Sequence, residues 1–199
     1  MAVDQYALTT LAKAKRFMDI SGTDDDTLIE ELIDSVSAQI EKWCRRKFLS
    51  RSFTEYHDGG GYSYVFVDNP PITAVASVYD DSDREWTSSD LVSATYYTTD
   101  GSYADEGRIQ LWQGKLYFYD GVKNVKVTYT GGYSSVPADV EMACHALVSM
   151  WFNIRDKQGL TSESISDYKY TLSDEEDLKS GGLPASIQML LGPHGRFVV

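Results

Sequence analysis

At 199 residues and 42% hydrophobic content, the chain is long enough for one domain plus a lobe and too apolar for global disorder. Its formal net charge of -12 makes it a poor gripper of DNA or RNA, because such affinity rests on neutralising phosphates. The two cysteines, Cys44 and Cys144, give no disulfide framework and read as buried free thiols.

Thr9 to Met18 reads as a short helix with Leu8, Leu11, Ala12 and Phe17 as its apolar positions. Thr23-Asp24-Asp25-Asp26 then resembles a capping box, with acids suited to a helix N-terminus. The helix it opens carries Leu28, Ile29, Leu32, Ile33, Val36, Ile40, Trp43 and Cys44 at steps of three and four. Lys42, Arg45, Arg46 and Lys47 close it. They complement the helix dipole, or dock an acidic neighbour.

From Phe53 the period changes to two. Strands are expected over 53–58 and 62–67, around Gly59-Gly60-Gly61, and then over 72–79, 92–98, 108–112, 116–119 and 122–129. Such spacing predicts a compact antiparallel sheet, a curled sandwich or a small barrel. From Phe53 to Gly107 there are eleven acidic residues against Arg84 alone, so most of the negative charge falls in this stretch. The 14 tyrosines suit strands and contact surfaces equally.

Pro137 starts another helix, striped by Val140, Ala143, Cys144, Leu147, Met150, Trp151 and Ile154, which is expected to end near Gln158-Gly159. Residues 160–182 are polar, acidic and aperiodic, and read as a flexible loop. Leu183-Pro184 opens a last short helix through Leu191. Gly192-Pro193 stops it, and residues 193–199 trail away. The expected class is α+β. A small helical bundle (1–50 and 133–192) carries an inserted β-rich lobe (51–132) and an extended C-terminal tail.

Catalytic motifs are missing, so no enzyme and no cofactor are expected. Cys144 and His145 are adjacent on a helix and point about 100° apart, which argues against a Cys–His pair. His145 reads as a packed or surface residue. Asp81, Asp83 and Glu85 alternate as in a calcium loop, but Trp86 occupies the obligatory glycine position, and no metal site is expected. Asp58/Asp68 and Asp105/Glu106 read as solvated turn residues. No apolar run approaches the length of a membrane span, and the N-terminus lacks the apolar core of a signal peptide. A soluble protein in a reducing cytoplasm is expected.

Several motifs recur in one order. They begin with Leu11-x-x-x-Lys15-x-Phe17, Asp24-Asp25-Asp26-x-Leu28-Ile29-x-x-Leu32-Ile33 and Ile40-Glu41-x-Trp43-Cys44-x-Arg46-x-Phe48. Tyr56-x-Asp58-Gly59-Gly60, Pro70-Pro71-Ile72-x-x-Val75-x-Ser77-Val78, Val127 to Tyr133 and Pro137-Ala138-Asp139-Val140 follow. Gly159 to Tyr170, Leu183-Pro184 and Leu190-Leu191-Gly192-Pro193 complete the set. Together they resemble the head–tail connector (adaptor, or head-completion) proteins of tailed bacteriophages.

The resemblance implies a structural virion protein at the head–tail interface, assembled in the host cytoplasm. Copies would form a ring, typically of twelve, beneath the portal protein. The ring would extend the DNA channel and dock the tail or a stopper protein. DNA would pass without specific binding, and no membrane is involved. The segment 160–199 would reach the portal or a neighbouring subunit, with Tyr168, Tyr170, Leu183, Pro184, Leu191, Arg196 and Phe197 as contact residues. Arg45, Arg46 and Lys47 form a candidate subunit-interface cluster. The alternative is a carbohydrate- or protein-binding module using lobe tyrosines such as Tyr62, Tyr64, Tyr96, Tyr97 and Tyr103.

Overall fold

The computed structural model describes residues 2–154 and 183–195. The chain divides into two units. One is helical and is built from the described residues up to Arg46 and from Val136 onward; the other is Lys47–Ser135. The second is therefore inserted in the first, and the fold is α+β.

In the helical unit, α1 is Leu11–Phe17, α2 is Asp26–Cys44 and α4 is Ala138–Ile154. The last helix, α5, is Ala185–Leu191, and a single 3-10 turn, Gly192–His194, follows it. Ile29, Ile33, Val36, Ile40 and Cys44 of α2 are buried, as are Val140, Ala143, Cys144, Leu147 and Val148 of α4. Their spacing places one apolar stripe on each helix, and α4 packs with α1, α2 and α5. Leu183, Ile187 and Leu191 complete this core.

Polar bonds fix the packing. The Leu8 N–H donates to Ser37 Oγ at 3.0 Å, and Ser37 Oγ lies 3.9 Å from Cys144 Sγ. Both thiols are free, and burial pushes Cys44 up to about 11 and Cys144 up to about 12.

Three expectations for this unit are corrected. Thr23 forms no capping box: α2 starts at Asp26, and Lys15 reaches back to bond Asp26 and the Gly22 carbonyl. Ala14 is the buried position of α1, whereas Phe17 and Trp43 are largely exposed. The chain beyond Gly192 does not simply trail away, because His194 Nε2 lies 2.7 Å from Asp139 Oδ2.

The inserted lobe holds two three-stranded antiparallel sheets. The first orders Arg51–His57 (β1), Val125–Gly131 (β6) and Ile72–Asp80 (β3) as β1-β6-β3. The second orders Tyr64–Phe66 (β2), Arg108–Leu111 (β5) and Tyr97–Thr98 (β4) as β2-β5-β4. Central strand β6 alternates strictly, burying Val125, Val127, Tyr129 and Gly131. With Val65, Val78, Ile109, Leu111 and Phe118 these side chains make one core shared by both sheets.

Gly131 is small because a Cβ there would lie 2.2 Å from the Asn69 carbonyl oxygen. At Gly59 a Cβ would lie 1.9 Å from the Tyr119 carbonyl oxygen. The expected strands at 92–98 and 116–119 are mostly absent. A 3-10 turn (Ala94–Tyr96) leaves only Tyr97–Thr98 paired, and 116–119 is a loop that drops Phe118 into the core. A short helix, α3 (Ser102–Glu106), occupies what read as a turn.

Leu191 is fully buried and Met189 is 82% exposed on the same short helix. Leu191→Ala should therefore cost about 2–5 kcal/mol, whereas Met189→Ala should stay within about 0.5 kcal/mol. Urea denaturation of the two variants measures the contrast.

Candidate interaction surfaces and a polar cluster in the lobe

The C-terminal segment divides into residues used internally and residues left on the surface. Leu183, Pro184 and Leu191 are buried in the helical unit, so they anchor α5 rather than present a face. Met189, which the sequence reading passed over, is the most exposed large apolar side chain of that helix. Only its position midway between the core residues Ile187 and Leu191 could have signalled this. Tyr168, Tyr170, Arg196 and Phe197 lie outside the described residues.

The end of the segment is tied to the first turn of α4. The Asp139 carboxylate faces His194 and also accepts the Val140 N–H at 2.9 Å. Burial opposes its charge, but the His194 and Val140 hydrogen bonds win and hold Asp139 below the usual carboxylate range. His145 is packed: Thr9 Oγ1 lies 2.6 Å from its Nε2, and Phe17 stacks on its ring at 5.2 Å. Burial lowers its pKa.

At the C-terminus of α2, Arg45 adopts a left-handed conformation (φ 53°) and its N–H caps the helix. Arg45 and Lys47 are exposed, and Arg46 is half-buried.

The lobe carries two aromatic clusters. Tyr62, Tyr64 and Phe66 alternate along one strand face, with ring centroids 5.8 and 5.4 Å apart. The Arg108 guanidinium lies between the Tyr64 and Tyr103 rings, at 4.7 and 4.8 Å. In the first sheet, Lys126 is cross-strand to both Tyr56 and Tyr79, and Trp86 covers that row. Tyr96 is exposed, but Tyr97 packs against the lobe core, which weakens it as a surface anchor.

Three acids of the lobe hold backbone or lysine partners. Asp81 closes its own loop by accepting the N–H groups of Asp83, Glu85 and Trp86 at 2.7–2.8 Å, with the Trp86 bond the strongest influence keeping its pKa low. Asp58 accepts the Lys123 N–H at 2.7 Å. Asp80, buried, meets Lys115 at 2.8 Å and the Tyr119 N–H at 3.0 Å.

One cluster was not anticipated as a unit. Glu55 Oε1 accepts from Tyr129 OH at 2.6 Å and from Asn69 Nδ2 at 3.2 Å. Its Oε2 accepts the Asp68 N–H at 2.8 Å and lies 3.1 Å from His57 Nε2. Tyr129 OH accepts the Asn69 N–H, and Asn69 Oδ1 accepts the Lys47 N–H. Burial alone would raise the Glu55 pKa; bonds from His57, Tyr129 and the Asp68 N–H outweigh it and lower it. Burial, reinforced by Glu55, pushes the Tyr129 hydroxyl far up. Among the described residues, Glu55, His57 and Asp68 are also the group whose ligand atoms converge, all within 4.8 Å of one another. The signal in the sequence was Glu-x-His on one strand face.

Tyr129→Phe removes a donor from half-buried Glu55 and an acceptor from the Asn69 N–H. It should destabilise the lobe by about 1–3 kcal/mol, read by thermal and chemical unfolding. For Asp139, a depressed folded pKa means that the tether is present above the unfolded carboxylate value and is lost as pH falls through the folded one, below about pH 4. Amide exchange at residues 191–195 should accelerate there, and Asp139→Asn should remove that step.

No curated protein matches this sequence. Among solved structures, the chain is similar to one from the "Neck of empty GTA particle computed with C6 symmetry", at 14% identity and TM-score 0.62, covering all of this chain and 96% of that one. A chain from the "Neck of native GTA particle computed with C12 symmetry" gives 16% identity and TM-score 0.62, covering all of this chain and 94% of that one. A chain from the "Virion of native gene transfer agent (GTA) particle" gives 16% identity and TM-score 0.59 over the same shares. These likenesses establish a shared fold. The profile of the family described as Head completion protein matches residues 7–196, and the chain belongs to that family.

Proposed function

We propose that this protein is a head–tail connector: a ring of copies below the portal that extends the DNA channel and docks the tail or a stopper. Family membership over residues 7–196 carries the reading. The sixfold and twelvefold symmetry named for the similar neck structures supports a ring, and twelve copies is the preferred number. The role is mechanical rather than catalytic, within a virion assembled in the host cytoplasm.

Net charge fits a channel component. Twelve copies at -12 each would carry -144, and acids facing a lumen would repel phosphate so that DNA slides without being held. The portal contact is assigned to Tyr168, Tyr170, Arg196 and Phe197, with Met189 added as an exposed apolar neighbour in the chain. Leu183, Pro184 and Leu191 position that segment from within. Arg45, Arg46 and Lys47 are assigned to a neighbouring copy, whose acidic 53–107 stretch offers opposite charge. The exposed Tyr62–Tyr64–Phe66 row favours a second reading, a carbohydrate- or protein-binding module.

The chain should stay monomeric or weakly associated alone and form rings when mixed with portal, seen by negative-stain imaging. Arg196→Ala with Phe197→Ala should cut portal capture at least about tenfold, a loss of about 1.4 kcal/mol, with thermal stability unchanged. Deleting residues 183–199 is the wrong test, because it removes core residues. Undiminished capture after alanine replacement of Tyr168, Tyr170, Arg196 and Phe197 together would overturn the portal assignment. Glycan binding lost on Tyr62→Ala would favour the second reading.

A further inference from the structure

We propose that Glu55, His57 and Asp68 form a binding site for a divalent transition-metal ion of the zinc class. The inference rests on the lobe alone and does not depend on the connector reading. One imidazole nitrogen and two carboxylates converge, with ligand atoms within 4.8 Å of one another. Imidazole with carboxylate is a donor set for zinc-like ions, and metal–ligand bonds are about 2.0–2.2 Å. Two donors at that distance from one ion, at angles between octahedral and tetrahedral, lie about 3.0–3.4 Å apart. Glu55 Oε2 and His57 Nε2 are 3.1 Å apart, which is such a bite.

Between Glu55 Oε2 and His57 Nε2 lies either the Nε2 proton of one imidazole tautomer or, on this proposal, the ion. The Glu55 carboxylate is already oriented from behind, because Tyr129 OH and Asn69 Nδ2 bond its other oxygen. Such outer hydrogen bonds fix a metal ligand in place. Asp68 is held through its backbone, whose N–H bonds Glu55 Oε2, and its carboxylate is the third converging ligand. His57 also lines an open groove beside Tyr56, Tyr64 and Lys123. A bound ion would clamp β1 to the segment joining β2 and β3.

The test uses the full chain after dialysis against chelator, titrated with Zn²⁺ and Co²⁺ in a calorimeter and by absorbance. The expected result is one equivalent bound, visible cobalt bands and a raised unfolding temperature. His57→Ala and Asp68→Asn should each weaken binding about tenfold or more, while His145→Ala and His194→Ala should leave it unchanged. If the ligand variants do not fold, wild-type protein still decides the matter. Paramagnetic Co²⁺ shifts should centre on the amides of residues 55–57 and 67–69. Absence of saturable uptake, binding undiminished by His57→Ala in a folded variant, or cobalt shifts centred elsewhere would each overturn the site and leave His57 as a hydrogen-bond partner of Glu55.

Discussion

The helical unit depends on one constraint: its central helix arrives last but one. α2 exposes Ile29, Ile33, Val36, Ile40 and Cys44 until α4 covers them, and α4 lies beyond the inserted Lys47–Ser135 unit. Closing a long loop adds only slowly growing entropy, so the arrangement is thermodynamically tolerable, although it delays core formation in time. The polar bonds that accompany this closure are all long-range. Leu8 to Ser37, Ser37 to Cys144 and Thr9 to His145 tie the N-terminal segment and α2 to one another and to α4. They are directional where the apolar stripes are not, and so they select one packing register among several that burial alone would accept.

The lobe solves a similar problem with a charge. Its shared core is apolar, yet the Glu55 carboxylate sits at the edge of it and collects bonds from β6, from His57 on β1 and from the segment after β2. A half-buried acid of this kind costs stability if a donor is removed, because the charge stays behind. In return it fixes Asn69 against the Lys47 backbone, where the chain enters the lobe. Asp80 does comparable work at another point, holding Lys115 and the Tyr119 N–H and so fixing the loop that carries Phe118. The exposed aromatic rows are thus mounted on a polar framework and do not need a partner to become ordered.

Much of the fold was legible because burial writes a period into the chain. Ile29, Ile33, Val36, Ile40 and Cys44 of the α2 stripe and Val140, Ala143, Cys144 and Leu147 of the α4 stripe are buried, and the strand read over 122–129 lies at Val125–Gly131. Local grammar misled where a longer-range partner won. Thr23 looked like a cap, but Lys15 from the preceding helix bonds Asp26. Residues 116–119 looked like a strand, but Phe118 is buried singly and its neighbours Tyr117 and Tyr119 stay in solvent. The candidate sites were harder. The residue types that anchor interfaces also build cores, and Leu183 and Leu191 could be assigned to the core only once α4 was seen against them. The convergence of Asp68 on Glu55 and His57 has no sequence period at all.

That ambiguity has a consequence for a connector. A segment used only for docking could drift in sequence as its partner drifts, but α5 serves two masters. Leu183, Ile187 and Leu191 must satisfy α4, and the His194–Asp139 contact must bring the chain end back to the first turn of the same helix. The chain up to Gly195 is therefore set by the core and not by the partner. On the connector reading, this is pre-organisation: the exposed Met189 is presented from a fixed helix, which lowers the entropy lost on association. It also separates two kinds of failure. Damage at Leu191 or Asp139 acts through the unit's own packing, whereas damage at Met189 leaves that packing intact and can act only at a surface.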